Sequence, residues 1–180
     1  MPGEMSCFLQ AEKGAKFAVL IFKRDQLMYD IKNYAYIEGS VMPKETECHN
    51  RHMVQDVGEE GNEDRVGRVL DLCHAKAKEL LYPYTKHEIH NSELNNILHK
   101  PKVYGIVMKV PGDFSQTTLI LLERLIHEYF VCRVLQDWMS ITNPGKADTW
   151  RLKAEEAIAE ARSSLISRIG RVRRKLYPLG

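Results

Sequence analysis

Residues 116–141, QTTLILLERLIHEYFVCRVLQDWMSI, carry more apolar side chains than one face of a helix can hold. On a wheel at roughly 100° per residue, Glu123, Arg124, His127 and Glu128 share one arc, whereas Arg133, Gln136 and Asp137 fall on roughly the opposite one. The apolar stripe changes sides midway: Leu122, Leu125, Ile126 and Tyr129 point one way, and Val131, Val134, Leu135 and Trp138 another. A helix on the surface of a monomer keeps a single stripe. This one is therefore either the central helix of its own domain or a helix completed by another subunit. Tyr129, Val131, Leu135 and Trp138, with Trp150 farther on, are the side chains expected to pack that core or that subunit contact.

The rest of the pattern supplies elements for such a helix to pack against. "KFAVLIF" (Lys16 to Phe22) and "KVYGIVMKV" (Lys102 to Val110) are short runs rich in β-formers and predict two strands. Pro111, Gly112 and Asp113 turn the chain, and Asp113 or Ser115 is placed to cap the long helix. Leu27, Ile31, Tyr34 and Ala35 recur at helical spacing, with Gly39 where a helix C-terminal glycine would sit and Pro43 beyond it. A weaker helix covers "ETECHNRHMVQDVGEEGN". A stronger one starts from Asn62 as its cap, with Glu63 and Asp64 at the positive end of the helix dipole. Its stripe is Val66, Val69, Leu70, Cys73, Ala77, Leu80 and Leu81, and Pro83 stops it. Residues 85–101 are polar and histidine-rich, with one turn of helix expected at "SELNNIL". After the spacer "TNPGKAD", a last helix shows Trp150, Ala154, Ala157, Ile158, Ala161 and Leu165 on one side, where three alanines allow close approach to a partner helix. The expected fold is mainly α: a helical bundle as one domain over residues 1–168, with two short β-strands at about 16–22 and 102–110, and an extended basic tail over residues 169–180.

No constellation for catalysis emerges. Cys48, His49 and His52 lie close together, but no second pair at a recognisable spacing completes a metal site. In "HEIH" the histidines, His87 and His90, are three apart, and the zinc-protease pattern needs them four apart. His127 and Glu128 are adjacent on a helix and diverge by roughly 100°, so they do not converge on one substrate. The glycines of "GEEGNEDRVG" stand among acids that would repel a phosphate, and no GxSxG, Walker or GxGxxG motif is present. Neither a catalytic residue, a cofactor nor a metal is expected.

Hydrophobic content of 44% and charged content of 28% suit a folded soluble domain. A net charge of +2 argues against a protein that coats nucleic acid by charge alone. Cys7, Cys48, Cys73 and Cys132 have irregular spacings, so no disulfide framework is suggested, and a reducing compartment fits. No apolar run is long enough to cross a membrane, and the first residues lack the basic-then-apolar pattern of a secretion signal. The strongest local charge feature is "RIGRVRRKLYPLG". There Arg171, Arg173, Arg174 and Lys175 offer contacts to phosphates or to an acidic protein, and Leu176, Tyr177 and Leu179 offer anchors for a neighbour's groove.

The segment "VYGIVMKVPGDFSQTTLILLERLIHEYFVCRVLQDWMSITNP" resembles the strand, proline-containing turn and long helix of the head–tail connector (adaptor, or head-completion) proteins of tailed bacteriophages. The stretches "YDIKNYAYIEG", "HMVQDVGEEGNEDRVGRVLDL", "LLYPYTK", "LIHEYFVCRVLQDWMSITNP" and "RVRRKLYPL" are similar to uncharacterised proteins from phages and prophages of gut Bacteroidetes, a likeness that suggests a source more firmly than a function. The connector resemblance implies a structural, non-enzymatic virion protein of the phage neck, assembled in the host cytoplasm. Copies would form a homo-oligomeric ring that meets the portal protein above and a neck or tail protein below. DNA would pass through the channel without sequence-specific contact. A tail terminator or other tail-completion protein is the near alternative. A helical regulatory or nucleic-acid-binding module acting through the basic tail is the alternative from another class.

Overall fold

The structure is a computed structural model that describes residues 15–43, 48–82, 84–86 and 94–168, the last three of these by backbone alone. Strand β1 (Ala15–Lys23) runs without a loop into helix α1 (Arg24–Ser40). Helix α2 (Cys48–Gln55) continues through a 3-10 turn (Asp56–Gly58) into α3 (Glu60–Leu80). Strand β2 (Val103–Pro111) precedes the long helix α4 (Gln116–Thr142), and α5 (Pro144–Arg168) follows it. The mainly helical fold with two strands that the sequence implies is the fold observed. The tail, residues 169–180, lies outside the described residues.

α4 is the axis of the molecule. α1, α2, α3, α5 and β1 all pack on it. Over residues 129–135 every side chain but the half-buried Arg133 is buried. The change of stripe thus has its cause inside the chain: the first apolar face and the second are covered by different elements of the same molecule. Val131 and Leu135 are buried in the shared core with Leu122, Ile126 and Met139.

α5 folds back along α4 through the single residue Asn143. Its buried positions are Trp150, Ala154, Ala157, Ala161 and Leu165, with Ile158 half-buried beside them. α5 begins earlier than the sequence pattern suggests. The spacer "NPGKAD" is helical from Pro144, because a proline at the first helical position has its φ already set and gives up an N–H that has no partner there anyway.

The two strands pair with each other in one antiparallel ribbon, from Ala15 opposite Pro111 to Lys23 opposite Val103. Its inner face, Ala18, Leu20, Phe22, Tyr104, Ile106, Met108 and Val110, is buried. Phe22 meets Phe130 of α4 at 5.1 Å between ring centroids. The ladder continues into α1, where the Arg24 N–H donates to the Lys102 carbonyl at 3.0 Å.

Three local readings are corrected. Asn62 is not the cap of α3: the helix starts at Glu60, and the Asn62 amide donates to the Asp56 carbonyl at 2.8 Å, tying the 3-10 turn to the first turn of α3. Gly39 lies inside α1 rather than past its end; a Cβ there would come within 2.7 Å of Gln55 Cγ and 3.0 Å of the Arg51 carbonyl, so its work is to let α2 approach. Leu94 to Leu98, the described part of "SELNNIL", form no helix. Ser115 does occupy the cap position of α4, but its hydroxyl makes no capping bond.

Candidate functional site

The expected packing residues all belong to the protomer's own core. Tyr129, Val131, Leu135, Trp138 and Trp150 are buried. Trp138 donates its indole N–H to the Val54 carbonyl at 2.8 Å, satisfying a carbonyl in the last turn of α2. Trp150 stacks edge-on against Tyr34 at 5.3 Å, and Lys153 sits over its ring at 4.2 Å. Burial pushes the Tyr129 hydroxyl up to about 12 and the Cys73 thiol beside it up to about 11. Burial likewise raises Cys132 to about 11, so both thiols are held protonated and inert. The tail residues Arg171, Arg173, Arg174, Lys175, Leu176, Tyr177 and Leu179 lie outside the described residues.

Among the described residues the titratable groups do not converge on one point. His127 faces Asp30 across 2.8 Å and not its neighbour Glu128. Cys48, His49 and His52 are exposed on α2, and among the described residues no three metal-ligating side chains gather. An open cleft of about 630 Å³ between α3 and α5 is floored by Tyr129 and Arg133. Lys76, Glu79, Glu155 and Arg162 line it with mixed signs, which selects no ligand charge. The buried Arg24 guanidinium stands 4.0 Å from Glu63, and neither of its terminal nitrogens nor the Tyr104 hydroxyl nearby has a hydrogen-bond partner among the described residues. Burial pushes that hydroxyl up to about 12, with Asp71 adding to the effect. Glu63 and Asp71 at this spot disfavour a bound anion, and the cluster serves to fasten the ribbon to α3.

Among the described residues the ribbon is one place where apolar side chains stand partly uncovered side by side. Its outer face is apolar: Val19 and Ile21 are each 39% exposed, Val107 41% and Val103 45%. Phe17 joins them, with Lys109 over its ring at 5.7 Å. The two edges differ. β2 is closed on its outer side, where the Lys109 N–H donates to the Tyr84 carbonyl at 2.8 Å and the His74 ring nitrogen lies 2.9 Å from the Gly105 carbonyl. Burial holds the His74 imidazole below its usual value, so it stays neutral and donates that bond. β1 is open. Along it lies a groove of about 390 Å³ lined by Ala18, Leu20, Val110, Phe114, Leu119 and Ile120 among others. Ile120 is 56% exposed, more than any other apolar side chain of α4. The signal for this surface was in the sequence. "AKFAVLIFK" is apolar at odd and even positions alike, and a strand with only one covered face alternates.

A scan of family models, a search of curated proteins and a search of solved structures each found no match to this chain.

Proposed function

We propose that this protein is a structural, non-enzymatic subunit of a phage neck, and that its copies form a head–tail connector ring between portal and tail. The observation that carries the reading is the apolar outer face of the β1–β2 ribbon. Soluble monomers seldom expose a contiguous patch of β-branched residues without a partner for it. A ring needs a heterologous contact, one surface of a copy meeting a different surface of the next, and the ribbon face supplies one half of such a contact. The strand-turn-helix likeness of Val103 to Pro144 to connector proteins supports the same reading. The surplus apolar surface of α4 lends it no support, since the chain covers that surface itself.

The test is the assembled mass of the full chain, by native mass spectrometry and sedimentation at about 0.1 M and about 1 M salt. A closed oligomer that persists at high salt is expected, because apolar contacts are not screened. Val19→Glu combined with Val107→Glu should disperse it without unfolding the protomer. A monomer at every concentration overturns the ring. Retention on DNA that falls steeply with salt would favour a nucleic-acid-binding module instead. The charge distribution gives that second reading its footing: four of the 26 basic residues and none of the 24 acidic ones lie in residues 169–180.

A further inference from the structure

Helix α1 is apolar on two opposite sides. Leu27, Met28, Ile31 and Ala35 are buried on the side that packs against the rest of the molecule. On the other side Tyr29, Asn33, Tyr36 and Ile37, at i, i+4, i+7 and i+8, fall within an arc of roughly 100°, and all four are exposed. Tyr29 is 66% exposed and Tyr36 62%, and the exposed Val41 follows directly after the helix. A surface helix ordinarily keeps one stripe. The second stripe of α4 is covered by the chain's own elements, whereas the second stripe of α1 is covered by none of the described residues. Beside it runs an open groove of about 390 Å³, with Tyr29, Asn33 and Tyr36 on the α1 side and Gln55 and Glu59 on the other. The charge here is mostly acidic. Asp25 stands one turn before Tyr29 on the same stripe, Glu59 closes the groove and Glu60 follows it, against the one cation Lys32 in the wall. None of these four has an ion-pair partner among the described residues.

We propose that this stripe of one copy receives the outer ribbon face of the next, Tyr29 and Tyr36 packing on Val19, Ile21 and Val107. The inference rests on the proposed ring and adds the second half of its contact, since a heterologous contact needs two different surfaces. The two surfaces of this chain are complementary in three respects. In charge, the outward positions of β1 and β2 carry Lys23 and Lys109 and no acid, and neither lysine has an ion-pair partner among the described residues. Lys109 lies opposite Phe17, so the two lysines stand at opposite ends of the face, and one of them meets Asp25, Glu59 and Glu60. In length, Phe17 to Lys23 spans roughly 20 Å of strand, and Tyr29 to Val41 roughly 18 Å of helix. In chemistry, tyrosine rings offer broad apolar area to β-branched side chains and keep the hydroxyl at the wet rim, and tyrosine is enriched where interfaces concentrate their binding energy.

Mixing two altered full-length chains tests it by native mass spectrometry. One chain carries Val19→Glu with Val107→Glu and keeps its α1 stripe; the other carries Tyr29→Glu with Tyr36→Glu and keeps its ribbon face. Each alone should be a monomer with the denaturant midpoint of the unaltered chain. Their equal mixture should give a species of two protomers and none larger, because a single intact contact is left. Tyr29→Ser with Tyr36→Ser, which brings no charge to the surface, should raise the concentration for half-assembly by about tenfold or more, and carries the test should the glutamates unfold α1. Assembly that neither tyrosine pair weakens overturns the contact and gives the stripe to a different protein, while the ring stands. A mixture that stays monomeric while the unaltered chain assembles overturns the contact in the same way. An unaltered chain that stops at a dimer, lost with either pair of substitutions, supports the contact and overturns the ring. An unaltered chain that is monomeric at every concentration overturns both.

Discussion

Trp138 does two jobs at one position. Its ring fills the space between α4 and α2, and its N–H satisfies the Val54 carbonyl at 2.8 Å. The two can be separated. Trp138→Ala should cost about 3–5 kcal/mol in a urea titration, from lost burial and the cavity left behind. Trp138→Phe keeps most of the bulk but strands the carbonyl, and should cost about 1–3 kcal/mol. Equal losses for the two would mean that the hydrogen bond matters more than the volume. His74 gives a pH signature. Burial lowers its pKa from 6.5 in the folded chain, so just below that pH the unfolded chain binds more protons than the folded one. Its contribution to stability is therefore complete above about pH 6.5 and is lost as pH falls through the lower, folded value. Denaturant midpoints at about pH 7.5 and about pH 5.5 should differ more for the native chain than for His74→Gln, whose amide can still donate to Gly105 at both values.

Among the elements, α1 and α3 carry glycines with opposite expectations. Gly39→Ala would push a methyl to within 2.7 Å of Gln55 Cγ and 3.0 Å of the Arg51 carbonyl, where α1 and α2 are closest. The overpacking, about 1–3 kcal/mol, outweighs the better helix propensity of alanine, about 1 kcal/mol, and the thermal midpoint should fall. A Cβ on Gly61, in the first turn of α3, meets nothing within 4 Å, so Gly61→Ala should stabilise by about 0.4–1 kcal/mol. The same comparison marks what the residues disclosed before the fold was seen. Strands, helices and the alanine face of α5 follow from period and propensity, which are local. The role of Gly39 depends on a second helix, and that of Asn62 on a turn six residues before it. The change of stripe on α4 announced a helix covered on two sides but was silent on whose atoms cover it. Of the candidate site, the two-faced apolar strand was legible, but the difference between its edges was not, because His74 and Tyr84 come to β2 from distant parts of the sequence.

At the scale of the whole molecule, the described residues share a single core, to which both strands and all five helices contribute. Residues 170–180 follow α5 in the sequence, and removing them should leave the unfolding free energy from a denaturant titration within about 0.5 kcal/mol of that of the full chain. On the proposed function the same deletion should weaken attachment to a portal or tail partner, measured by co-sedimentation. Undiminished attachment would show that the tail is no anchor.

The junction at Arg24 has a mechanical side. One peptide group ends the ribbon and begins α1, and its N–H is both the last rung on Lys102 and the start of a helix lying on α4. There is no slack between the two. Whatever grips the exposed ribbon pulls on a stiff rod seated in the core, so strain arriving at the surface goes straight to the molecule's axis instead of being spent in a hinge.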